Sequence, residues 1–185
     1  MAEIKKTKIL KKEFFEVKVP LTSAKVYLYG SSVESLVNRV VSLDLTRNLR
    51  GKSLVLKLKV LLDGKELIGE PLSLELTGSY IRRMIRKGID YVEDSFAAEC
   101  KDFKVIVKPF LITRNKVSRA VRRELRNRAK EHIISRLNGM SVKDVFNELM
   151  TNKFQKELSF KLKKLYPLAL CEIRMFEIIE EKKQL

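Results

Sequence analysis

The chain has 185 residues, 45% of them hydrophobic and 34% charged, with 39 Lys and Arg against 23 Asp and Glu for a formal charge of +16. That length and apolar content suit one domain with a proper core, or a barrel with a helical appendage, and speak against wholesale disorder. A pI near 9.9 disfavours acidic-surface functions and favours an anionic partner.

In chain order the first two thirds read mainly as β-structure. Phe14 to Val19 and Lys25 to Tyr29 are short alternating runs punctuated by Pro20 and Gly30, and a turn around Ser31 to Leu36 leads into a strand from Val37 to Leu45 of ambiguous register. Leu54, Leu56, Leu58, Val60 and Leu62 alternate with Val55, Lys57 and Lys59, and Asp63-Gly64 predicts a hairpin turn. The return strand passes through Leu72, Leu74 and Leu76, with Pro71 confining that part to an edge or a bulge. Thr77 or Ser79 can cap a helix from Tyr80 to Lys87, with Ile81, Met84 and Ile85 inward and Gly88 ending it. Strands are predicted at about Ile89 to Cys100 and Phe103 to Thr113, joined at Lys101-Asp102. A long helix starts near Asn115 and stops at Gly139, Ser141 caps a second to Met150, and a third spans about Asn152 to Leu165. Tyr166-Pro167 breaks it, and Leu168 to Ile179 returns as a strand with Ala169, Cys171, Ile173 and Met175 opposite Glu172 and Arg174. The expected class is α+β: a barrel-like, mostly antiparallel β-body with a short basic helix and a C-terminal helical segment before a final strand. The expected divisions are a basic arm over 1–12, a β-rich body over 13–113, helices over 114–165, the returning strand over 166–179 and a tail over 180–185.

Charge is concentrated on three segments. Residues 1–12 hold Lys5, Lys6, Lys8, Lys11 and Lys12 against Glu3; residues 80–88 hold Arg82, Arg83, Arg86 and Lys87; residues 114–136 hold nine bases against Glu124 and Glu131. Together they carry +15 of the +16, so the rest is almost neutral. On the long helix Arg119, Arg122, Arg123, Arg126 and Lys130 share one face, while Val117, Val121, Leu125, Ala129, Ile133 and Leu137 recur every four residues on another. Guanidinium forks fit phosphate bidentately and stack on unpaired bases, which favours RNA as the polyanion. Arg114 and Lys116 lead into that face, the lysine-only arm is expected to find backbone by charge alone, and Arg47, Asn48, Arg50 and Lys52 sit in a strand-connecting loop expected to add a fourth contact. The Phe14-Phe15 pair invites base stacking, although alternation makes at least one of them core.

Catalytic constellations are not evident. His132 is the only histidine, so a zinc site or a histidine-paired nucleophile would lack its usual partners, and a solvated or phosphate-facing ring is expected. Gly64-Lys65 sits in a hairpin, outside any phosphate-loop pattern. Asp90, Glu93 and Asp94 form a tight acidic cluster, a weak candidate for a metal-dependent nuclease and better read as balancing nearby arginines. Cys100 and Cys171 fit no metal or redox spacing and read as buried thiols in a reducing compartment. No secretory signal, membrane span, metal or cofactor is expected, and the chain reads as soluble, cytoplasmic and non-enzymatic.

Particular strings carry a resemblance. Leu36-Val37-Asn38-Arg39-Val40-Val41-Ser42-Leu43-Asp44-Leu45-Thr46, then Lys57-Leu58-Lys59-Val60, then Glu75 through Lys87, Val107-Lys108-Pro109-Phe110, Ser118 to Arg126, and Tyr166-Pro167-Leu168 with Glu172-Ile173-Arg174 occur in order between about residues 13 and 178. In this order and spacing the chain resembles the S3Ae family of ribosomal proteins. The resemblance implies a β-barrel-type body followed by helices, in a component of the archaeal or eukaryotic small ribosomal subunit. It implies a place on the platform, contact with small-subunit ribosomal RNA near its 3′ end, protein neighbours in that subunit, and mRNA close by at the exit. Two departures stand out: the family usually has a longer basic arm and a tryptophan where this chain has Phe14 or Phe15, and the eukaryotic C-terminal extension is missing, which makes the chain archaeal-like. A free-standing RNA chaperone or translation regulator is the alternative reading.

Overall fold

The computed structural model describes residues 12–22, 24–47, 49, 51–64 and 66–181. Strands β1 (Glu13–Lys18) and β2 (Val26–Gly30) precede a 3-10 turn over Glu34–Leu36 and strands β3 (Val40–Asp44), β4 (Leu54–Asp63) and β5 (Glu66–Leu76). Helix α1 (Gly78–Met84), strands β6 (Tyr91–Glu93), β7 (Phe96–Glu99) and β8 (Phe103–Thr113), helices α2 (Arg119–Leu137), α3 (Val142–Met150) and α4 (Lys153–Leu162), and strand β9 (Leu168–Glu181) follow. The class is α+β with mostly antiparallel pairing, and the helices lie ahead of a final strand as expected. Two compact units divide the chain, one of residues up to 41 with 58–70 and one of 42–57 with 71 onward, so β3, β4 and β5 each run through both.

In the first unit β1 pairs antiparallel with β2 and parallel with the start of β5. Alternation sends Val17 into a core with Leu36, Val60 and Leu67, against which Phe15, Val26 and Leu28 pack. Gly30 is required there because a β-carbon would sit 2.8 Å from the Leu36 side chain. Asn38 adopts φ 64°, and its amide donates to the Val60 carbonyl at 2.8 Å, joining the turn to β4. The expected strand at Val37 therefore begins at Val40, once that turn has closed. Gly64, at φ 61°, makes the predicted turn between β4 and β5.

In the second unit the end of β5 pairs with β9, β9 with β8, and β8 with both β6 and β7, all antiparallel. The strand expected over Ile89 to Cys100 is thus two short strands, interrupted where the Asp94 carboxylate accepts the Ser95 amide at 2.9 Å. Strand β8 is buried without a break from Pro109 to Thr113, and the fold tolerates Pro109 because a register shift falls between Lys108 and Pro109. Strand β9 departs most from the simple alternation. Its pairing with β8 shifts at three places, each time inserting one extra residue of β9: Ala169, Arg174 and Ile179. The insertions at Ala169 and Arg174 invert the inward phase, which explains why Ala169 is exposed and Met175 half-buried while Phe176 is buried. The Phe176 ring meets that of Phe146 on α3 edge-on, with centroids 5.1 Å apart.

Candidate RNA interface

Helix α2 supplies the largest cationic surface. Ser118 caps its start, its hydroxyl accepting the Val121 amide at 3.4 Å. Leu125, Ala129, Ile133 and Leu137 are buried at four-residue spacing, which locks the helix rotationally onto β6, β7 and α4. With that stripe inward, Arg119, Arg123, Arg126 and Lys130 are exposed and Arg122 is half-buried, and Arg114 and Lys116 are exposed on the lead-in loop. The loop itself is fixed by Asp90, whose carboxylate accepts the Val117 amide at 2.9 Å.

Two of the nine bases on this segment are neutralised. Arg128 bonds Glu124 at 2.9 Å along the exposed helix surface, and Glu124 holds the Arg128 guanidinium above its usual range. Arg136 reaches Glu148 of α3 at 2.5 Å, pairs with Glu157 of α4, and lies over the Phe154 ring. It is a clamp between three helices. The seven others have no carboxylate partner among the described residues, although Lys130 places its ammonium 5.6 Å above the Phe96 ring.

Helix α1 forms a second exposed set. Tyr80 and Ile81 are buried and Arg82, Arg83, Arg86 and Lys87 are exposed. Arg82 donates back to the Gly78 carbonyl at 3.3 Å, and Arg83 donates to the Ser53 hydroxyl at 3.4 Å while lying over the Tyr80 ring. The helix ends at Met84 rather than Lys87, because the backbone turns extended at Ile85 (ψ 119°). Ile85 therefore swings outward, 37% exposed, against the inward position expected for it, and Gly88 makes a later turn.

Lys52 requires correction. It is 8% exposed, with its ammonium 2.5 Å from Glu172 on β9 and 2.5 Å from the Asn152 side-chain carbonyl. Its charge is spent inside the protein and cannot reach RNA. Asn152 presents that carbonyl from a left-handed conformation (φ 60°) between α3 and α4, one that asparagine tolerates well. Burial pushes the Glu172 carboxyl above its usual value, and Lys52 and Gln155 draw it back. Burial, then Glu172, also raises the Tyr80 phenol of α1. Sequence reading missed it because Lys52 neighbours exposed bases in the chain while its partner is 120 positions away. Arg47 is exposed. Lys12 is exposed in the first unit. Lys5, Lys6, Lys8, Lys11 and Arg50 lie outside the described residues.

His132 also differs from expectation. It is partly buried beside α4, and its Nε2 lies 3.7 Å from Glu157. Burial, with Lys161 and Arg136 close by, holds its imidazole below the ordinary value. The three acids of the candidate metal cluster point to separate tasks: Asp90 to the Val117 amide, Glu93 to Arg174 at 3.2 Å, and Asp94 to the Ser95 amide. Cys171 is buried and its thiol is pushed up by that burial.

The chain matches the Ribosomal S3Ae family across residues 2–182. Among its relatives are proteins called small ribosomal subunit protein eS1. That of Methanothermobacter thermautotrophicus is 29% identical over 68% of this chain and 66% of the relative. The Nanoarchaeum equitans protein is 24% identical over 95% and 92%, and the Pyrobaculum islandicum protein 25% over 91% and 80%.

Proposed function

Because the chain belongs to the Ribosomal S3Ae family, we propose that it is a structural constituent of the small ribosomal subunit, working in the cytoplasm as a ribosomal RNA-binding protein of translation. The observation that carries the RNA contact is the set of seven bases on and before α2 that no described carboxylate neutralises, displayed by a helix whose opposite face is buried. Such a row neutralises phosphates and releases their counterions, with no chemistry performed on the partner. Arg82, Arg83, Arg86 and Lys87 around α1 form a second contact set of the same kind, and Lys12 and Arg47 add single charges. The resemblance extends the reading to the platform, near the 3′ end of the ribosomal RNA and the mRNA exit, beside other small-subunit proteins.

Replacing Arg119, Arg122, Arg123 and Arg126 by glutamate tests it. The variant is expected to keep a cooperative thermal melt and to fail to enter small subunits on a high-salt sucrose gradient. Normal incorporation would overturn the assignment of this face. Wild-type protein found on diverse RNAs away from the subunit peak would favour a free-standing chaperone instead.

A further inference from the structure

The first unit carries a surface that the arginine face does not account for. On β1 the outward positions are Phe14, Glu16 and Lys18, and on β2 they are Tyr27 and Tyr29, since Phe14 pairs with Tyr29 and Glu16 with Tyr27. The inward positions Phe15, Val17, Val26 and Leu28 already fill the core, so the outer rings are not needed for packing. They stand open: Phe14 is 73% exposed, Tyr27 56% and Tyr29 54%. The Phe14 and Tyr29 rings are 5.0 Å apart and tilted at 44°, forming one continuous aromatic surface. Lys12 holds its ammonium 5.8 Å from the Tyr29 ring centre.

The charge around the rings selects the partner. Glu16 is paired with Lys25 at 3.3 Å and Lys18 with Glu66 at 2.7 Å, so these four cancel. Lys12 has no described carboxylate partner, although the exposed Glu13 follows it in the chain, and the sequence leading into it holds Lys5, Lys6, Lys8 and Lys11 against Glu3. Three aromatic rings on a sheet surface, with the Lys12 ammonium beside one of them and a net-positive sequence leading into it, match what unpaired RNA requires: π-faces for successive bases and cations for the connecting phosphates. A duplex hides its base faces and gains nothing from the rings. We propose that the outer face of the β1–β2 hairpin is a stacking platform for single-stranded RNA, with Phe14, Tyr27 and Tyr29 taking bases and Lys12 the backbone. This goes beyond the arginine-face reading and can fail separately, because the rings proposed here take bases whereas the arginine row takes phosphates.

The test uses the full chain, a short oligouridylate and an RNA duplex of equal length at one salt concentration. Phe14→Ala and Tyr29→Ala are each expected to weaken oligouridylate binding about tenfold and to leave duplex binding and the thermal melt unchanged, while Tyr29→Phe, which keeps the ring, binds as wild type. Arginine-face glutamates are expected to weaken both ligands. Undiminished oligouridylate binding by both alanine variants would sink the platform, as would equal losses on the duplex. Photo-crosslinking from p-benzoylphenylalanine at position 14 in assembled small subunits is expected to yield RNA adducts. Protein adducts alone would show that the rings cover a protein neighbour and overturn the proposal.

Discussion

Lys52 and Glu172 illustrate how one buried pair sets the consequences of substitution. Removing one partner of such a pair leaves the other charge desolvated, at a cost of about 3–5 kcal/mol. Lys52→Met is therefore expected to lower the urea midpoint strongly, and adding Glu172→Leu to recover most of the loss. RNA affinity of the folded single variant should be unchanged, since the ammonium faces Glu172 and Asn152. His132 gives a pH dependence of definite sign. Its folded pKa lies below the ordinary value of about 6.5, so between the two values the unfolded chain binds more protons. Stability that is full above about pH 6.5 is then lost as pH falls through the folded value. Desolvation is the leading cause, Lys161 and Arg136 add to it, and Glu157, 3.7 Å from Nε2, is the acid that faces the ring. His132→Gln should flatten this slope in denaturation curves taken at about pH 7.5 and 5.5; an unchanged slope would place the titration elsewhere.

At the scale of elements, α2 depends on its first turn, where the Ser118 cap and Arg119, Arg122 and Arg123 coincide. Ser118→Ala is expected to cost about 0.5–1 kcal/mol in chemical unfolding and to weaken RNA binding by fraying the turn that holds those arginines. Ser118→Asp separates the two effects: it keeps a capping oxygen and favours the helix dipole, yet adds a negative charge beside the phosphate path. Near-native stability with weakened binding is the expected result in RNA titrations. Strand β9 shows the opposite dependence. Its inward set is decided by three inserted residues opposite β8, and no local pattern in Leu168 to Ile179 reveals them.

For the whole molecule, the decisive quantity is how much of +16 stays free. Arg128, Arg136 and Lys52 are committed to carboxylates, while the row from Arg114 to Lys130, Arg128 excepted, has no carboxylate partner among the described residues. Replacing Arg119, Arg122, Arg123 and Arg126 by glutamine should make log affinity against log salt shallower by about 3–4, near one per lost phosphate contact. A parallel line with a lower intercept would mean that these arginines do not touch phosphate.

The α+β class, the order of most elements, the aliphatic stripe of α2 and the three clusters of charge follow from the sequence alone, because periodicity and composition are local properties that a packed core preserves. The resemblance to the S3Ae family was legible for the same reason, in strings whose order survives divergence. Only the tertiary structure decided which charges remain available: Lys52 meets an acid 120 positions away, Arg136 meets acids on two other helices, and the bulges of β9 arise from pairing with β8. Those outcomes are set by what a residue meets across space, so no pattern along the chain could announce them.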